Sequence, residues 1–128
     1  IIEVETNGTI LPNERVQGYV DQFNVSPKLK SSGNDPKHAL KEEVLNFFAR
    51  CEQAVFKFVI ADADDLAEVM ELTELFDIDH SKVYLMPEGR DREAIQANAL
   101  WLAEVCKEEQ FNFTTRLHVL LWGAKKGV

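Results

Sequence analysis

Apolar and polar positions follow two periods along this chain, and the switches between them predict its elements. Ile1 to Thr6 alternates with period two and stops at Asn7-Gly8, which reads as a strand running into a tight turn. Residues 11–19 hold Pro12, Asn13 and Gly18 and show too little periodicity to assign. Tyr19 to Val25 reads as a second strand, ended by Ser26-Pro27 because proline cannot extend a central ladder. Residues 30–36 (KSSGNDP) have the composition of a loop, and Pro36 suits the first turn of a helix. Leu40, Val44, Phe47, Phe48 and Cys51 then recur at helical spacing, which predicts an amphipathic helix over 36–51.

Ala54 to Ala61 is almost continuously apolar, interrupted by Lys57; a strand buried on both faces of a parallel sheet reads this way. Asp62 or Asp64 caps the following helix, with a core stripe of Leu66, Val69, Met70 and Leu75 or Phe76. Lys82 to Met86 is the next strand, closed by Pro87-Glu88-Gly89. A helix from about Arg90 to Glu109 puts Ile95, Ala99, Leu102 and Cys106 on one face, and Thr114 to Trp122 alternates as a last strand. Strands and helices that take turns build right-handed crossovers. The fold expected is therefore α/β: one domain over 1–128, with a mostly parallel sheet and flanking helices. Ligands bind such sheets at the carboxyl ends of the strands. That rule selects Glu5 to Gly8, Ser26 to Lys28, Ala61 to Asp62 and Met86 to Gly89 as one rim.

Composition narrows the partners. The net charge of -8 argues against nucleic acid and anionic membranes, which need a basic surface. No apolar run approaches a membrane span. Two cysteines are too few for a disulfide framework, so a reduced, cytoplasmic setting is expected. The chain opens in mid-strand without an initiator methionine, which reads as a piece of a longer protein.

Each rim segment has an ordinary structural reading beside a functional one. Asn7-Gly8 is first a tight turn, and Glu5 a strand-end residue facing solvent. Ser26-Pro27-Lys28 is either a plain strand exit or a polar contact for a ligand. Lys57 is either an edge residue or points at something acidic. Met86 to Gly89 is a strand-to-helix turn that also offers backbone groups beside a glycine. His118 reads as a structural histidine, and nothing is read into His38 or His80. Cys51 and Cys106 fall on core stripes, which favours buried thiols over metal ligands. The chain contains no G-x-x-x-x-G-K-[ST], G-x-G-x-x-G or G-x-S-x-G motif, so the residues describe a binding rim without a complete catalytic apparatus.

Five segments in order carry a resemblance: Glu5-Thr6-Asn7-Gly8-Thr9, Ser26-Pro27-Lys28, Phe56-Lys57-Phe58-Val59, Tyr84 to Gly89, and Arg116 to Gly123. Together they resemble the C-terminal half of the 7-carboxy-7-deazaguanine synthases, radical S-adenosylmethionine (SAM) enzymes of queuosine precursor synthesis, often labelled organic radical activating enzymes. The resemblance implies the second half of an incomplete (β/α) barrel. It further implies an N-terminal half, absent from this sequence, with a cysteine loop for a [4Fe–4S] cluster and a threonine for Mg²⁺. The complete enzyme would be a carbon–nitrogen lyase. It would cleave SAM to a 5′-deoxyadenosyl radical and convert 6-carboxy-5,6,7,8-tetrahydropterin to 7-carboxy-7-deazaguanine, while this chain alone would be inactive. By the same resemblance Ser26, Pro27 and Lys28 line the SAM site. Leu85, Met86, Pro87 and Glu88 form a second SAM-lining stretch near the adenine, and Glu5, Thr6 and Asn7 face the same cofactor. Arg116 and His118 are placed at the pterin from their charge and position. A homodimer is expected, and a first strand with a free edge is a surface through which chains associate. The competing readings are another radical SAM activating enzyme and a noncatalytic α/β ligand-binding domain.

Overall fold

The computed structural model describes residues 2–29, 42–89 and 92–114. Strand β1 spans Glu3–Thr6, helix α1 Glu14–Tyr19, β2 Gln22–Val25 and α2 Glu42–Arg50. Strand β3 spans Ala54–Ile60, α3 Ala63–Leu75, β4 Val83–Pro87, α4 Arg92–Glu109 and β5 Asn112–Phe113, with a 3-10 turn at His80–Lys82 before β4.

The five strands form one sheet in the order β1-β2-β3-β4-β5, and every neighbouring pair is parallel. The order never reverses. Right-handed crossovers that all step the same way put every connecting helix on the same face of the sheet. This is the winding of a (β/α) barrel wall rather than of a doubly wound sheet. The α/β parallel architecture read from the sequence is the one observed.

One-sided covering explains the burial along each strand. Phe23, Val25, Ala54, Phe56, Phe58, Ile60, Val83 and Leu85 point into the helix-packed core and are essentially inaccessible. Helix α2 adds Val44, Leu45, Phe48 and Ala49, with the Phe23 and Phe48 rings 5.4 Å apart. Helix α4 adds Ile95, Leu102 and Cys106. Each large side chain removed from water contributes about 1.5–3 kcal/mol before entropy is charged against it.

Several expectations change. Strand β3 is buried on one face only: its burial alternates, and Val59 on the other face is 42% exposed. An apolar run therefore did not mean two covered faces, because no described helix crosses to the second face. Residues 14–19, left unassigned, form α1, capped by the Asn13 side chain, which accepts from Val16 N at 2.8 Å. Tyr19 ends that helix, so β2 starts at Gln22. Asp62 caps α3, where Leu72, Thr73 and Phe76 take core places and Leu75 is exposed. Strand β5 starts at Asn112, ahead of the predicted Thr114; residues 115–128, including the rest of that strand, lie outside the described residues. So does the predicted first turn of α2, residues 36–41. Among the described residues no helix is long and apolar enough to cross a membrane.

Candidate functional site

Because all strands are parallel, their carboxyl ends share one edge of the sheet, and the four predicted rim segments lie along it. The most developed feature there is a cleft of about 460 Å³ lined by Glu5, Thr6, Asn7, Ser26 and Lys28. Its walls are built by the exits of β1 and β2. Ser26 N donates to Thr6 O at 2.8 Å, extending the ladder one residue past the end of β2. Gly8 N donates to Thr6 Oγ1, while Asn7 Oδ1 accepts from Thr9 N and from Thr9 Oγ1 at 2.6 Å. Gly8 sits at φ +77°, so the predicted tight turn is present. A Cβ on Gly8 would come within 3.2 Å of Val25 Cγ1 and 3.3 Å of Leu45 Cδ2, so the turn rests directly on the core. Pro27 is buried beneath it and Lys28 is exposed.

Glu5 faces outward, as expected of a strand end, yet it is not free to swing. Asn24 Nδ2 donates to Glu5 Oε1 at 2.7 Å, from the position directly opposite in the β1–β2 register. Asn24 is only 2% exposed, and the sequence reading passed over it. Its signal was available: asparagine is depleted inside strands, and here it stands between Phe23 and Val25.

The second predicted stretch lies two strands further along, about 10 Å away at ordinary strand spacing. Its side chains divide between the two faces. Leu85 and Pro87 are buried, and Leu85 O accepts from Thr114 N. Met86 is partly exposed on the uncovered face, and Glu88 is exposed at the strand end. Glu88 N donates to Ile60 O, and Glu88 O accepts from Asn98 Nδ2 at 3.0 Å, which fixes this turn against α4. Gly89 is required there, since a Cβ would lie 2.8 Å from Ile95 Cγ1 and 2.9 Å from Ile95 N. Between the two stretches, Ala61 N donates to Asp65 Oδ2 and Asp65 N donates to Asp62 Oδ1, closing the β3–α3 turn. Lys57 is not an edge residue: it lies in the central strand, opposite Tyr84 on the uncovered face. No hydrogen bond or ion pair engages its ammonium among the described residues. Arg116 and His118, placed at a substrate, lie outside the described residues, as does His38.

A larger hollow, about 680 Å³, opens at the other end of the sheet between Met70, Thr73, Glu74, Asp77, Ile78, Asp79 and His80. Its polar groups serve the fold. The Asp79 carboxyl is held below its usual range by the Ser81 amide and hydroxyl that hydrogen-bond it. His80 Nδ1 lies 2.6 Å from Glu109 O, and its ring packs 4.4 Å from that of Phe111. Nearby, Lys82 Nζ donates to Cys51 O at 2.7 Å and reaches Ala49 O and Phe48 O, closing the end of α2; burial pulls its pKa down. Groups at the amino-terminal face of parallel strands ordinarily serve stability, which makes the rim cleft the candidate site. Cys106 is buried on α4, as the sequence implied, and burial raises its pKa to about 11; Cys51, expected on the core stripe of the preceding helix, instead lies just past the end of α2 and is half-buried.

A singly wound parallel sheet with a polar cleft at the carboxyl ends of its strands places this chain among the parallel α/β proteins. No protein-family model matches the chain. Among curated proteins it is 34% identical over 128 residues to the 7-carboxy-7-deazaguanine synthase of Pyrobaculum aerophilum, in an alignment covering 98% of this chain and 54% of that protein. To the 7-carboxy-7-deazaguanine synthase of Rhodopirellula baltica it is 29% identical over 138 residues, covering 98% of this chain and 52% of the relative. The similarity first carried by five short motifs therefore extends over nearly the whole sequence, and the chain spans about half the length of the curated relatives it matches.

The polar groups of the cleft match the chemistry of one cofactor that the resemblance implies. A carboxylate at Glu5, an ammonium at Lys28, the hydroxyls of Thr6 and Ser26 and the Asn7 amide complement the amino-acid and ribose groups of SAM. Among the described residues no group of three or more His, Cys, Asp and Glu side chains can hold a metal, and Cys51 and Cys106 belong to separate structural contexts.

Proposed function

We propose that this chain forms the SAM- and substrate-binding wall of a 7-carboxy-7-deazaguanine synthase, a lyase acting on 6-carboxy-5,6,7,8-tetrahydropterin in 7-deazapurine synthesis. The observation that supports it is a coincidence of two independent facts. The chain is similar to named synthases over 98% of its length. Five of the ten residues assigned to SAM by resemblance also line one cleft at the rim where parallel sheets bind ligands.

When bound, SAM supplies radical hydrogen-abstraction chemistry, and the protein's share is binding, orientation and exclusion of water. Lys28 meets the cofactor's carboxylate, and the Glu5 carboxylate accepts from its ammonium or ribose hydroxyls. Met86 and the backbone around Glu88 bound the far end, where an adenine finds an apolar surface with peptide groups beside it. The uncovered face of the sheet, carrying Lys57, Tyr84 and Met86, is the floor on which a pterin lies. Lys57 is the cation on that floor for an anionic group.

The test is anaerobic turnover by the complete protein after reconstitution with iron and sulfide, with the product identified by mass spectrometry. Conversion of 6-carboxy-5,6,7,8-tetrahydropterin with SAM is expected. Lys28→Ala should raise the KM for SAM by about tenfold, the value of one charge-assisted hydrogen bond. Iron-loaded protein that forms no product would overturn the reading.

A further inference from the structure

Two carboxylates, Glu3 and Glu5, project from the same face of β1, two residues and so about 6–7 Å apart. Like charges so close on an edge strand repel and leave each side chain mobile. Strand β2 answers both with neutral amides. Gln22 Nε2 donates to Glu3 Oε1 at 3.1 Å and to Asn24 Oδ1 at 2.6 Å; Asn24 Nδ2 then donates to Glu5 Oε1 at 2.7 Å. The direction of this relay is fixed. Turning the Asn24 amide over would set its oxygen against the Glu5 carboxylate and its nitrogen against the Gln22 nitrogen, losing both bonds at once. Asn24 is 2% exposed, so water offers no replacement partner. Glu5 Oε2 accepts no hydrogen bond among the described residues, and Glu5 lines the rim cleft.

We infer that Asn24 is a positioning residue for the rim cleft: through the Gln22–Asn24 relay it pins one oxygen of Glu5, so that the other is presented to the cofactor as a fixed acceptor. The inference rests on the functional reading above for the identity of the ligand. The physical gain is preorganisation, because a carboxylate already held in place loses less freedom when a hydroxyl or ammonium donates to it.

The relay separates two substitutions that a merely structural role would treat alike. Asn24→Ala removes the donor and should weaken binding of SAM by about tenfold at any pH. Asn24→Asp keeps the shape but sets two carboxylates face to face. The pair can hold a proton between them in mild acid and repels when both are ionised. Binding by Asn24→Asp should therefore approach that of the wild type near pH 5 and fall about tenfold or more by pH 8, while the wild type changes far less over that interval.

Equilibrium dialysis of radiolabelled SAM against the iron-loaded protein reads these affinities without turnover. Equal affinity of the wild type and Asn24→Ala, or a pH profile of Asn24→Asp that follows the wild type, would overturn the inference. If the wild type binds no SAM, the functional reading fails, and the relay is judged by nuclear magnetic resonance instead. The side-chain amide signal of Asn24 should then move in Glu5→Gln, and a signal that stays in place would overturn the relay as well.

Discussion

Gly8 is where the rim turn touches the core, and replacing it tests whether the cleft's geometry is imposed from below. At φ +77° an L-residue incurs about 1–2 kcal/mol in the left-handed region. The added Cβ would also press on Val25 Cγ1 at 3.2 Å and Leu45 Cδ2 at 3.3 Å. Both belong to side chains at most 2% exposed, which must yield within a packed core at a further cost of about 1 kcal/mol or more. Gly8→Ala should therefore lose about 2–3 kcal/mol in all. Gly18 provides the internal control. It lies in α1, and a methyl group added there would meet no atom within 4 Å, so Gly18→Ala should gain about 0.5–1 kcal/mol. Urea unfolding with an unchanged slope measures both, and at this chain length each kcal/mol moves the Tm by about 4 °C. A Gly8→Ala protein as stable as the wild type, or a Gly18→Ala protein that loses as much, would refute the argument.

Other outcomes follow from contacts already described. Asp62→Ala removes the α3 cap and should lower stability by about 1 kcal/mol, whereas Asp65→Ala keeps the backbone donor of that cap but strands the Ala61 amide and should lose about 2–3 kcal/mol in the same unfolding assay. Asp79, whose carboxyl is held below its usual value of 3.8, contributes stability that is complete above that pH and disappears as acid carries the solution below it. An acid-unfolding series should show the difference between wild type and Asp79→Ala vanish at the lowest pH. With its pKa raised to about 11, Cys106 should resist a thiol reagent at pH 8 while half-buried Cys51 reacts first; equal rates would contradict the burial. Among the described residues strand β1 pairs on one side only, and association of chains through its other edge, where the Glu3 amide points away from β2, should be weakened by Glu3→Pro, as read by light scattering.

Much of this architecture was legible because it rests on local patterns. The apolar run at 54–61, the helical spacing of Val44 and Phe48 and the stripe of Ile95, Leu102 and Cys106 each announce an element. Parallel winding then brings Glu5, Asn7, Ser26 and Lys28 to one rim without any further information. What escaped depends on contacts distant in sequence. Whether β3 has one covered face or two is decided by the direction of each crossover, which no strand records in its own letters. Helix α1 is six residues long with a glycine next to its last residue, too short for its period to show. Asn24 gains its meaning only from Glu5, nineteen positions earlier, because the β1–β2 register sets them opposite.

The unreversed strand order has a consequence for how such a sheet is assembled and extended. Each strand pairs with the one made just before it, so a chain emerging from the ribosome can dock every new strand onto a finished edge. Among the described strands none waits for a distant partner, and no finished pairing must open to admit another. A sheet wound this way grows like a row of bricks. Further βα units added beyond β1 or β5 would leave the rim between them undisturbed, which lets the cleft at Glu5 and Ser26 be kept while the wall around it is lengthened.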